Sequence, residues 1–295
     1  MRLPFWATMA GNLLALLLLN VPRTSLADNL FVADNGNNSI WKFNSSGEGT
    51  AFAGLSGPVS LTFDSVGNLY VVAFNNNIIW KFNPSGVGTV FTYGLVEPLA
   101  IAFDSSGNLY ESNLGGYIRV FNPSGGIAQL DISELGMGIP QGLAFDRSSN
   151  LYVASVAGAG GDTIWKYNSP GVGTVFASSG LSYPIGLTFD SAGNLCVANW
   201  NGNSIWKYNS SGAGTAFASS GLNKPYGLAF DNEGNLYVAN SGDGTIAKFD
   251  SSGIGTVFAS GLNSPEGLVN QSVPEPSTRA LLVGCLVALF SVKRR

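Results

Sequence analysis

Six positions recur along the chain, five of them with an oxygen-bearing side chain: Asp34, Ala73, Asn113, Ser155, Asn199 and Asn240. Each closes a six-residue segment that begins Asn-Leu, as in NLYVAN at 235–240. Side chains of this kind have two uses. They can satisfy loop backbone groups through local Asx-type hydrogen bonds, or they can form a rim of oxygen donors for a hard cation such as Ca²⁺. Ala73 interrupts the set, so a symmetric site is not implied. Trp200 follows Asn199 directly in an expected loop, and it joins Asp34, Asn113, Ser155, Asn199 and Asn240 as a candidate ligand contact. Asymmetry enters at Glu111 and Arg119, which replace a Val and an apolar residue found at the matching places elsewhere. Across a hairpin they would lie opposite one another, where opposite charges are favourable. A structural ion pair is the expectation.

Other chemistry is excluded early. The 295 residues include no histidine, which removes the commonest general base and metal ligand. Cys196 is the only cysteine between 28 and 272, so no internal disulfide can form there. No Ser or Cys is accompanied by a base in a recognisable motif, and no catalytic residue is assigned. Residues 28–272 carry eight Lys and Arg against 17 Asp and Glu, a charge of about −9 with no basic run. Nucleic acid and anionic lipid are therefore not expected as partners of this body.

What positions these residues is a repeat. PYGLAFDNEGNLYVANSGDGTIAKFDSSGIGTVFASGLNS at 225–264 recurs from Pro184, Pro140, Pro98 and Pro58. The leading prolines at 58, 98, 140, 184, 225 and 265 are 40, 42, 44, 41 and 40 residues apart. Each unit holds four short runs rich in aromatic and β-branched residues, such as GLAFD, NLYVAN, TIAKF and GTVFA, separated by turn chemistry. Asp-x-x-Gly-Asn places Asp at the first position of a type I turn and Gly at the fourth. Asn83-Pro84-Ser85-Gly86 and Asn122-Pro123-Ser124-Gly125 put Pro at the second position, where its fixed φ fits. A period near 40 with four strands per unit predicts an all-β, six-bladed β-propeller with four-stranded blades. Five units are complete. The sixth blade is expected to join three strands from 29–57 with one from 265–270, which closes the ring and removes a free sheet edge.

In such a ring the tight Asp-x-x-Gly and Asn-x-x-Gly turns share one face. The variable connections share the other, which is where binding is expected. Two irregular segments fall there together: DISELGMGI at 131–139 and SVAGAGGDT at 155–163, the latter expected to be the longest loop. Trp41, Trp80, Trp165 and Trp206 hold one column of a strand and read as core.

P-x-GLAFD-x-x-GNLYVAN followed by I-W-K-F resembles the NHL repeat and, more broadly, the six-bladed propellers that include gluconolactonase-like proteins. The resemblance covers the whole body. The gluconolactonase type implies a divalent metal held by a Glu from a Glu-Gly-Pro strand start, an Asn and an Asp. This chain has no Glu-Gly-Pro; Glu97-Pro98 and Pro265-Glu266 are its nearest counterparts, and Glu97, Asn199 and Asp243 match only loosely. The streptogramin-lyase type is similar too but depends on histidine. The expectation is a binding or structural module without a cofactor, the alternative being a metal-dependent lactonase-like hydrolase.

The ends read as addresses. Arg2, the apolar run Leu13–Leu19 and Ser25-Leu26-Ala27 form a secretory signal, with cleavage expected between Ala27 and Asp28. Residues 273–295 begin VPEPST, continue through an apolar 280–292 and end Lys-Arg-Arg. At 13 residues the apolar run is shorter than the ~20 that span a bilayer core. Val273, Pro274, Glu275 and Pro276 with this tail closely resemble the PEP-CTERM sorting signal. That resemblance implies transient anchoring at the inner membrane, processing by an exosortase, and delivery to the envelope or extracellular matrix of a Gram-negative bacterium. Polysaccharide or surface proteins are then the expected partners.

Overall fold

The computed structural model describes residues 29–271, apart from 125, 131–137, 159–160 and 169–171. Both terminal addresses, most of 131–139 and residues 169–171 lie outside the described residues. Twenty-four strands form six four-stranded antiparallel sheets, one per predicted repeat. The closing blade, blade 1, is ordered Pro265–Gln271, Asn29–Asp34, Ser39–Phe43, Gly49–Gly54, so the last described strand lies beside the first. Blades 2 to 6 begin with the inner strands Pro58–Phe63, Pro98–Phe103, Ile139–Phe145, Pro184–Phe189 and Pro225–Phe230. Successive inner strands touch all the way round, and Pro265–Gln271 touches Pro58–Phe63 to complete the circle.

Local chemistry accounts for the regularity. Asp64 Oδ1 accepts hydrogen bonds from the amides of Val66 (3.1 Å) and Asn68 (2.8 Å), and Gly67 takes φ +86° to donate back to the Asp64 carbonyl. Asp104, Asp146, Asp190 and Asp231 repeat the arrangement. In the third strand of four blades, Lys81, Lys166, Lys207 and Lys248 pair with the turn aspartate of their own blade. Val32, Val71, Val153, Val197 and Val238 are fully buried between blades. The tryptophan column is core as expected: Trp165 lies inside one interblade cluster, and Trp41, Trp80 and Trp206 pack against three others.

Two expectations change. Closure completes the ring but leaves the outer strand of every blade as a free edge, because each blade is its own sheet. Those edges are short, four to six residues, which limits edge-to-edge pairing. Segment 155–163 is not a simple loop. The second strand of blade 4 runs Leu151–Gly158 and the third begins at Gly161, with Gly158 paired to Gly161. The hairpin continues the ladder beyond its counterparts, because the repeat's short 3₁₀ connection, seen at Asn35–Asn37 and Phe74–Asn76, is replaced by residues that can pair.

Candidate functional site at the axial mouth

The inner strands surround an axial channel of about 100 Å³. Its lining is as much polar as apolar, with Ser60, Gln141 and Tyr226 beside Leu61, Ile101, Leu187 and Leu228. The spacing of these strands depends on the glycine in P-x-G-L. A Cβ on Gly142 would strike the carbonyl oxygen of Ile185, one on Gly186 that of Tyr226, and one on Gly227 that of Glu266. Each missing Cβ lets the next inner strand approach. The residue after each leading proline stands at the start of its inner strand, on the variable-loop side of the channel: Val59, Leu99, Gln141, Ile185, Tyr226 and Glu266 in blades 2, 3, 4, 5, 6 and 1, followed by glycine in the last four and by Ser60 and Ala100 in the first two. Sequence reasoning passed over this position. Its signal was there: it is the residue after the leading proline, the x of P-x-G-L in four units, and six different residues occupy it in units otherwise much alike.

One sector of the mouth is polar and aromatic. Tyr226 donates a side-chain hydrogen bond to Glu266, and Asn35 supplies a second. Burial nevertheless dominates and pushes the Glu266 carboxyl up to about 8, against an ordinary 4.5. The Tyr226 phenol is raised well above its usual range, first by burial and then by the neighbouring Glu266. Both groups therefore carry their protons at neutral pH. Beside them, the ring centroids of Tyr183 and Trp200 are 5.6 Å apart, the Lys224 ammonium lies 4.7 Å from the Trp200 centroid, and Trp200 Nε1 donates to Ser241 Oγ at 3.2 Å. Tyr183, Lys224 and Ser264 precede their prolines with positive φ, as Gly57 and Glu97 do in blades 2 and 3, so that turn belongs to the repeat.

The oxygen ring foreseen from sequence lies on the same face but is buried. Asn199 is 1% exposed; its Oδ1 accepts from Ser182 N (3.1 Å) and its Nδ2 donates to the Gly180 carbonyl (2.8 Å) and Ser204 Oγ (3.3 Å). Asn240 repeats these contacts with Asn223 N, the Gly221 carbonyl and Thr245 Oγ1. Asp34 accepts from Asn263 N and Asn37 Nδ2, and Ser155 Oγ accepts from Gly138 N. In blades 1, 4, 5 and 6 these side chains staple the loop entering the inner strand to the end of its neighbour. Trp200, by contrast, stands partly exposed among the mouth residues.

Blade 3 departs from the pattern. Glu111 and Arg119 do face each other in register, yet they form no ion pair. Glu111 is fully buried, while the half-buried Arg119 turns to Tyr117, donating to its hydroxyl at 2.9 Å with its guanidinium 5.5 Å from the ring centroid. The two side chains end at different depths. Burial raises the Glu111 carboxyl to about 7, and Asn113 Nδ2 donates to it at 3.3 Å. Recruited in this way, Asn113 makes no staple, and both Asn113 Oδ1 and Glu111 Oε1 are buried without a partner.

The metal set implied by the gluconolactonase resemblance does not fit these residues. The Asn199 carboxamide is engaged on both sides, Asp243 Oδ1 accepts from the amide and hydroxyl of Thr245, and Glu97 is exposed on another blade. Among the described residues no three acidic or cysteine side chains gather as metal ligands.

Comparison with known proteins supports the architecture. Virginiamycin B lyase from Staphylococcus aureus superposes with a TM-score of 0.63 over 81% of this chain and 84% of its own, at 19% identity. A catalytically inactive His-to-Ala variant of that lyase with quinupristin gives 0.61 over 80% and 86%, at 18% identity. A structure assigned as a gluconolactonase gives 0.66 over 81% and 89%, at 16% identity. At these identities the likeness is one of fold. No family model and no curated protein sequence matches the chain.

Proposed function

We propose that this NHL-like propeller is an exported binding module of the cell surface or extracellular matrix, and that it holds its ligand at the mouth over blades 5, 6 and 1. The observation carrying this reading is the concentration of Tyr183, Trp200, Tyr226, Glu266 and Asn35 at one sector of an otherwise repetitive frame. Ligand sites favour concavities where a few polar groups converge. Binding without catalysis is favoured because the similar lyase is inactivated by loss of one histidine and this chain has none.

Export rests on the signal ending at Ala27, and sorting on Val273 to Pro276 with the apolar 280–292 and its basic end. An exosortase would process the tail after transient anchoring in the inner membrane. The test is expression in a Gram-negative host with and without its exosortase. Wild type should shorten and leave the membrane fraction only where the enzyme is present, and Pro274→Ala/Pro276→Ala should remain anchored. Equal processing in both hosts would sink the sorting reading.

A second reading, a metal-dependent lactonase, is favoured by the shared fold and by Glu266 near the start of an inner strand. It is tested by a thermal melt after EDTA, followed by Ca²⁺, Mg²⁺, Mn²⁺ or Zn²⁺. A specific cation at 100 times its Kd adds about 2.7 kcal/mol. A melt that no cation moves leaves the binding module.

A further inference from the structure

The Glu266 carboxyl sits at the axial mouth with two neutral donors directed at it, the Tyr226 hydroxyl and the Asn35 amide. Donors aimed at a carboxylate favour its ionised form, yet the counter-charge that would complete the arrangement is missing. Among the described residues every Lys–Asp pair belongs to a turn on the opposite face. The cation on this rim, Lys224, rests on the Trp200 ring instead. The other titratable groups beside the cluster are the Tyr183 phenol, which acts on Tyr226, and Asp162, whose carboxylate accepts from the Tyr183 amide. Below lies the narrow channel of about 100 Å³, whose lining mixes aliphatic side chains with Ser60 and Gln141. Aromatic faces line one side, and one of them already accepts an ammonium. The acidic body draws cations toward the whole surface.

Resting on the binding reading above, we infer that the mouth takes a small organic ammonium, its charged head paired with Glu266 between Tyr226 and Asn35 and its short remainder toward the axial channel. Binding then transfers the Glu266 proton to water. The ligand enters as R–NH₃⁺, Glu266–COOH becomes Glu266–COO⁻, and one proton is released for each ligand bound below the carboxyl's free-state titration point.

The test uses the full-length protein and n-butylammonium chloride, with n-butanol and CaCl₂ as comparisons. The Glu266 carboxyl is followed by ¹³C NMR and assigned with Glu266→Gln. Free protein should titrate near 8, and n-butylammonium should lower that midpoint by about one to three pH units. Below the free midpoint, affinity should rise about tenfold per pH unit, and n-butanol should produce neither effect. Glu266→Gln should fold, with a thermal midpoint at pH 7 no lower than that of the wild type, and lose the binding. The inference is overturned if n-butanol binds as well as the ammonium, if Ca²⁺ alone moves the carboxyl, or if Glu266→Gln binds unchanged. A neutral saccharide that shifts Trp200 and is lost in Glu266→Gln would overturn the ammonium while leaving the mouth as the site. If no probe, neutral or charged, perturbs Trp200 or Glu266, both readings fall.

Discussion

Blades 5, 6 and 1 and blades 2 and 3 offer the same backbone to the axial mouth and put opposite chemistry on it. At the position after the leading proline the first sector has Tyr226 and Glu266 beside Ile185, and the second has Val59 and Leu99. At the residue after the second strand the first has Trp200, Ser241 and Asn35, and the second has Phe74 and Leu114. The tight Asp-x-x-Gly turns are shared between these sectors, so they report the frame. The mouth positions are free to differ because their side chains leave that frame. Blade 3 shows the reverse case, a change inside the frame: Glu111 in a valine slot leaves Asn113 bonded to a carboxyl rather than to a loop.

The largest effect expected is on pH dependence. Glu266 and Glu111 have folded-state values of about 8 and about 7, above the ordinary 4.5. Between these limits the unfolded chain loses protons that the folded chain keeps. Stability is therefore full below about 4.5 and falls as pH rises toward 8, by up to roughly 1.4 kcal/mol per pH unit for each group still protonated. Denaturation in urea at a series of pH values should show that slope. Glu266→Gln should remove its upper part and Glu111→Gln its middle, and a stability that rises between pH 5 and 8 would contradict both assignments.

Returning blade 3 to the repeat comes next. Glu111→Val with Arg119→Trp removes a buried carboxyl whose Oε1 is unpartnered, and should raise stability at pH 7 by about 1–3 kcal/mol. A loss of stability would mean that the carboxyl has a partner. Smaller again is the contrast between staples. Asn240→Ala should cost about 1–2 kcal/mol, because it strips hydrogen bonds from the loop entering blade 6. Asn113→Ala should cost less than half as much, and equal costs would refute the account of blade 3. The smallest is Lys81→Met, which breaks a partly exposed 3.9 Å pair with Asp64. It should change stability by less than about 1 kcal/mol.

The fold was legible because its determinants are local and repeated. Proline spacing, Asp-x-x-Gly-Asn turns and period-2 strands all recur, and the fragments at the two ends supply the missing parts of one blade. Segment 155–163 was misread because Ala and Gly carry little strand signal, and its pairing depends on a ladder already formed beneath it. The register of Glu111 and Arg119 was legible, but their depths were not, so the expected pair did not form. At the mouth, Trp200 stood out as a tryptophan outside the buried column. Tyr226 and Glu266 did not, because the residue after the leading proline shows its place at the channel only once the inner strands close the ring.

The central claim, that this molecule binds through the sector over blades 5, 6 and 1, is tested most directly by ¹H–¹⁵N NMR of the tryptophan indoles. The titrant is matrix polysaccharide or n-butylammonium. The Trp200 indole should shift on ligand addition, while those of Trp41, Trp80, Trp165 and Trp206 stay in place. Shifts confined to the buried column or the tight-turn face, with Trp200 unmoved, would contradict it.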